Sequence, residues 1–259
     1  MKARLAAIGG ALLGALGALV AFAPAAWLAG GVASATGERL LLADARGTLW
    51  QGSAVLVLTG GAGSRDAAAL PGRLGWTLGL AGTGITLTAR HACCLNGDQR
   101  LLIEPGFGRL KVTLPAAEGA RGQWPASWLV GLGTPWNTLQ PGGWLRLSSP
   151  GLAVESVQGR WRLAGRAELE LEGMHSRLST LPRLGSYNLG MANGAGGEAV
   201  ITLSTTEGPL QLSGSGQWAA GRLRFSGDAH ADPGSEAALN NLLNIIGRRQ
   251  GANSVISIG

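Results

Sequence analysis

From residue 40 to the carboxyl end, apolar and polar positions alternate in short runs. Ala167-Glu168-Leu169-Glu170-Leu171-Glu172 is the clearest of them: an extended chain puts Ala and Leu on one face and the three Glu on the other. The same period of two predicts strands over 40–43, 54–59, 74–80, 85–89, 101–104, 110–114, 143–147, 154–157, 160–163, 167–172, 199–204, 210–215 and 222–227. Clusters of Gly, Asn, Asp and Ser at 60–64, 96–98 and 193–197 separate them. Strand follows strand across short turns, so the pattern predicts a mainly β protein with a largely antiparallel sheet.

Some of the runs repeat. Gly47-Thr48-Leu49-Trp50-Gln51-Gly52 leads into an alternating run, and so do Gly159–Gly165 around Trp161 and Gly216–Gly221 around Trp218. A wide aromatic flanked by glycines suits a strand entry where a ring packs on a sheet face. An offset of 111 residues carries Trp50 to Trp161, Leu70-Pro71 to Leu181-Pro182, Trp76 to Tyr187 and Leu78-Gly79 to Leu189-Gly190. Either these are separate strand starts in a Gly-rich chain, or they mark two similar halves, about 40–115 and 150–230, joined into one elongated, curved sheet. On the second reading Trp50, Trp161 and Trp218 anchor the repeats.

Two segments depart from the period of two. Residues 125–132 predict a short helix with Pro125 in its first turn, set in a tryptophan-dense region with Trp124, Trp128, Trp136 and Trp144. That region either packs between the halves or offers Trp124, Trp128 and Trp136 as a partner surface. In 235–249, Leu239, Leu242, Leu243 and Ile246 form a stripe at helical spacing, with Ser235 as N-cap and Glu236 in the first turn. A helix there covers one end of the sheet, and 254–258 forms a last strand.

The amino-terminal pattern is different. No charged residue occurs between Arg4 and Glu38, and 5–23 nearly supplies the roughly 20 apolar residues that span a bilayer. Lys2 and Arg4 ahead of it place the amino end in the cytoplasm and the rest outside. The expectation is a stub and transmembrane anchor over 1–35 and an exported domain over 36–259. The competing reading is a cleaved signal peptide ending at Ala33-Ser34-Ala35, although the apolar run is about twice the usual length of such a core.

Composition narrows the chemistry. Gly makes up 44 of 259 residues against an ordinary share of about 7%, without the strict period of collagen, which fits many short strands and tight turns. The net charge is +6, of which two charges precede the apolar run, and the arginines are scattered; this excludes a nucleic-acid binder and leaves room for weak attraction to anionic lipid. The adjacent Cys93 and Cys94 lack the spacing of a metal site, and only His91 is near; in an oxidising compartment they close a disulfide with each other or bond another chain. His91, His175 and His230 are isolated from one another, and no nucleophile elbow, phosphate loop or metalloprotease motif occurs. No catalytic, cofactor or metal site is expected.

Several stretches together carry a family resemblance. They are Ala45-Arg46-Gly47-Thr48-Leu49-Trp50-Gln51-Gly52-Ser53-Ala54 after an apolar amino terminus, Leu114-Pro115, the segment 128–139 with Leu139-Gln140-Pro141-Gly142-Gly143, Leu181-Pro182-Arg183-Leu184-Gly185-Ser186-Tyr187, and Leu242-Leu243-Asn244-Ile245-Ile246-Gly247-Arg248-Arg249-Gln250-Gly251. In this order they resemble the type II secretion system protein N family, over nearly the whole chain. The resemblance implies an inner-membrane protein with a periplasmic β domain, an accessory part of the machinery that moves folded proteins across the outer membrane, with other secretion components as partners and no catalytic residues to carry over. The alternative function is a lipid-handling envelope module, similar to AsmA-like proteins, with acyl chains held on an apolar sheet face.

Overall fold

The computed structural model describes residues 2–194, 197–219 and 222–259. The side chains of Lys2 and Arg4, the middle of the 193–197 turn and Ala220-Gly221 after Trp218 lie outside the described residues.

Two helices, α1 (Lys2–Ala21) and α2 (Ala25–Ala35), open the chain. Pro24 divides them: it has no N–H to donate, and its ψ of 148° is extended. Beyond the break, α2 packs on the sheet, with Ala25 buried and Leu28, Ala29 and Val32 against Leu42, Ala54 and Trp76. This corrects the expected transmembrane helix. Among the described residues no helix is long and apolar enough to cross a membrane. α1 has 20 residues, four of them glycine, and the part of the apolar run beyond Pro24 belongs to the core under α2.

The strands follow as β1 (Leu40–Gly47), β2 (Gln51–Thr59), β3 (Ala67–Ala69), β4 (Leu74–Ala81), β5 (Gly84–His91), β6 (Gln99–Gly106), β7 (Arg109–Leu114) and β8 (Ala120–Pro125). A 3-10 helix (Ala126–Leu132) and the single turn α3 (Trp136–Leu139) come next, then β9 (Pro141–Val157), β10 (Arg160–Ser176), β11 (Gly185–Asn193), β12 (Ala199–Glu207), β13 (Leu210–Ala219), β14 (Arg222–Ala231), α4 (Glu236–Ile246), β15 (Arg248–Gln250) and β16 (Asn253–Ile258). They form one 16-stranded sheet in the order β1-β2-β4-β5-β6-β7-β9-β10-β11-β12-β13-β14-β16-β15, with β3 paired to β2 and β8 to β9. The described pairings are antiparallel, as strands joined by short turns must be.

The register shows why the alternation matters. Leu80 faces Ile85, Ile85 faces Ile103, Ile103 faces Val112, Val112 faces Val154 and Val154 faces Leu163, so one apolar row crosses six strands on one face. One residue along, the row Glu104, Lys111, Glu155 and Arg162 occupies the opposite face. The apolar face is covered at its two ends. α2 lies over β1 and β2, and α4 lies at β14–β16, burying Leu239, Leu242 and Leu243 against Leu145, Met174, Tyr187, Leu210 and Ala229.

β9 and β10 are 17 residues each, where the sequence suggests two short strands apiece. At Ser149-Pro150-Gly151 the β9–β10 register shifts, which absorbs the proline as a bulge rather than a break. The Ser149 hydroxyl donates to the Arg166 carbonyl at 2.7 Å and accepts from the Gly151 N–H at 3.2 Å. One part of β9 pairs with β8 and the other with β7, so this strand joins the two parts of the sheet.

Candidate functional site

The first candidate is the amino-terminal helix and its attachment. α1 turns Leu13, Leu16, Leu19 and Val20 to the outside, and Phe22 follows at 77% exposure. Its carboxyl end is fixed to the β1–β2 turn: the Leu49 N–H donates to the Ala23 carbonyl at 2.7 Å, the Trp50 indole N–H to the Val20 carbonyl at 2.8 Å, and Pro24 bridges Thr48. The Trp76 indole N–H donates to the Leu49 carbonyl at 3.0 Å from below. Trp50 thus holds the helix to the sheet, whereas Trp161 and Trp218 sit within β10 and β13, facing Ser156 and Ala199, and are about half exposed. Of the three expected repeat anchors, Trp50 is tied to the helix, and Trp161 and Trp218 lie half exposed in strands.

The second candidate is the tryptophan-rich joint. Trp124 on β8 faces Leu145 of the core, and Trp128 in the 3-10 helix donates to the Ala68 carbonyl of β3 at 3.0 Å. Trp136 opens α3 and lines a polar recess with Arg39, Ser64 and Asp66, where the Asn137 amide donates to the Asp66 carboxylate at 3.1 Å. All three side chains are half-buried, and the 3-10 helix packs against β2, β3 and β9. Trp144, in contrast, is half exposed. Below the joint lies Arg121, a buried cation that the sequence does not single out. Its guanidinium donates to the Pro115 and Ser149 carbonyls and to the Gln99 side chain, and burial lowers its affinity for a proton.

The third candidate is the cysteine pair. Cys93 and Cys94 are bonded to each other in a turn rather than in a strand, so the two sulfurs converge instead of pointing to opposite faces. The turn is held by the Cys94 and Leu95 N–H groups donating to the His91 carbonyl and by the Gln123 N–H donating to the Cys94 carbonyl at 3.0 Å. That carbonyl lies where a side chain on residue 122 would stand, which explains Gly122. The His91 ring, Cys93 and Cys94 place their ligand atoms within 4.8 Å of one another. The disulfide occupies both sulfurs, and a metal requires thiolates. His91 is 4% exposed, neither ring nitrogen has a partner, and burial lowers its pKa, so the ring is neutral at pH 7.

A further group went unread in the sequence. Leu80, Phe107 and Ile258 are exposed beside hairpin turns or at the end of β16. They come from separate hairpins, so no local pattern joins them; the available signal was a large apolar residue within two positions of a turn glycine, as in Leu80-Ala81-Gly82 and Phe107-Gly108.

Comparison with known proteins adds one finding. A family model described as type II secretion system (T2SS), protein N, matches residues 38–257. No curated protein and no solved structure gives a significant match.

Proposed function

The chain belongs to the type II secretion system protein N family, and from that premise we propose that it is an accessory subunit of the type II secretion machinery, attached to the inner membrane with its sheet in the periplasm, where it assists assembly or export. One observation carries the reading: the matched segment, 38–257, begins two residues before β1 and ends one residue before the last residue of β16, so what the family shares is the sheet itself. Attachment is supported by the outward leucines of α1 and by Phe22, an apolar surface that water does not favour and lipid does. A periplasmic location is supported by the disulfide, which persists in oxidising compartments. We also read the sheet as two like halves. In support, Trp76 and Tyr187, related by the 111-residue offset, are each 4% exposed, on β4 and β11, the strands that follow the two Leu-Pro loops. The lipid-handling alternative has no comparable support, since the family match names a secretion component.

Deleting the protein from a cell with a working type II system tests the proposal. Substrates of the system should then accumulate in the periplasm, and the full chain should restore their release. Release at the undisturbed rate in the deletion strain contradicts it.

A further inference from the structure

We propose that one end of the sheet, the end that carries the β1–β2, β4–β5, β6–β7, β9–β10 and β13–β14 hairpins, lies on an anionic bilayer surface. The inference rests on the membrane attachment proposed above and adds a second contact to it.

Antiparallel order puts these hairpins at one end of the molecule; the row from Leu80 to Leu163 keeps β4 to β10 level, and beyond β10 the register steps back, with Gln217 on the row of Arg166 and Ile258 on that of Ala167. From β4 to β14 the path crosses nine strand spacings, roughly 40 Å at about 4.8 Å each. Large apolar side chains are exposed all along this rim: Leu80 at 82%, Phe107 at the tip of β6–β7, Trp161 at 52%, Trp218 and Ile258. Leu80, Phe107, Trp161 and Trp218 stand on or beside separate turns along the rim, and Ile258 at the end of β16 lines an open recess with Arg224 and Phe225. A line of that length fits an extended surface better than a compact protein knob. Tryptophan is also the side chain most at home where apolar lipid meets water.

Charge points the same way. Arg160, Arg162, Arg222 and Arg224 flank the rim on β10 and β14, and all four are exposed. Among the described residues no carboxylate forms an ion pair with any of them. Arg109 at the same end pairs with Glu155, and Glu198 in the β11–β12 connection is a local counter-charge, so the balance at the rim remains positive. Basic side chains beside aromatic and aliphatic ones bind anionic headgroups. Finally, the rim is continuous with the helix: α1 ends against Thr48, Leu49 and Trp50, which form the β1–β2 turn at this same end. A bilayer that receives α1 lies beside the rim.

Site-specific labelling of the full chain in vesicles tests this. The two native cysteines are bonded to each other and no free thiol is present among the described residues, so one added cysteine takes one fluorophore. Labels go on Leu80→Cys, Phe107→Cys, Leu13→Cys in α1, and Ala117→Cys in the exposed loop between β7 and β8, which lies beside Gly151 in the middle of β9 and away from the rim. The vesicles contain phosphatidylglycerol and phosphatidylethanolamine with a nitroxide-bearing lipid. The labels at 80 and 107 should lose roughly half of their emission or more, and the label at 117 should keep its own. The loss should shrink in neutral phosphatidylcholine vesicles and in the double variant Arg160→Glu, Arg222→Glu. If 13 is quenched while 80 and 107 match 117, the rim contact is overturned and the attachment stands. If 13 is not quenched either, the attachment fails and takes the rim with it. Shielding of 107 only when other secretion components are added makes the rim a protein interface and overturns the proposal.

Discussion

His91 gives the fold a pH dependence. Its ring is buried beside the disulfide with no partner for either nitrogen, and burial lowers its pKa below the ordinary value of about 6.5. The unfolded chain therefore takes up a proton at a pH where the native one does not. Stability from this group is intact above about pH 6.5 and is lost as pH falls from there through the lowered native value. The thermal midpoint should drop between about pH 8 and about pH 5, and His91→Leu should flatten that drop. An equal drop in the variant assigns the dependence to other groups. Tyr187 is another buried group with an unpartnered polar atom, and burial raises its phenol pKa. Neither was visible in sequence as buried: each stands among small or polar neighbours, and its burial comes from strands and loops distant along the chain.

At the scale of elements, α4 does the most for the core. Leu239, Leu242 and Leu243 are at most 2% exposed and sit on the apolar face beneath the helix. Leu242→Ala should cost about 2–5 kcal/mol in urea unfolding, from lost burial plus the cavity left behind. A cost below about 1 kcal/mol means that the helix is not docked as described. This helix was legible in the sequence because a stripe at helical spacing cannot serve a strand. Strand β11 was not legible: Gly185, Asn188, Gly190 and Asn193 interrupt its apolar residues, and its place is set by pairing with β10 and β12. The long strands β9 and β10 read as pairs for a related reason. Pro150-Gly151 and Gly165 look like turns, and only the partner strand shows them to be a bulge, with Gly165 at φ +92° against the Gly151 carbonyl. The Ser235 cap shows the limit in the other direction: it stands at the predicted position, yet its side chain makes no capping bond, and the Glu236 carboxylate accepts from the Gly234 N–H at 2.8 Å.

The whole molecule is a single antiparallel sheet with one apolar face, capped at its two ends by helices and joined through β9. The family match spans the same sheet, and the exposed amino-terminal helix sits at the end where the unpaired arginines and the exposed aromatics gather. What the sequence did not show at the amino end is that the residues after Pro24, apolar like those before it, form α2 and pack against the sheet.

The central claim is membership in the working secretion machinery, and chemical crosslinking in intact cells tests it most directly. A tagged full chain, expressed at native level in a cell with an active type II system, is crosslinked, purified and its captured proteins identified by mass spectrometry. The account predicts at least one other type II secretion component among them, absent when the rest of the system is deleted. Capture of the same proteins whether or not the system is present, with no secretion component among them, contradicts it.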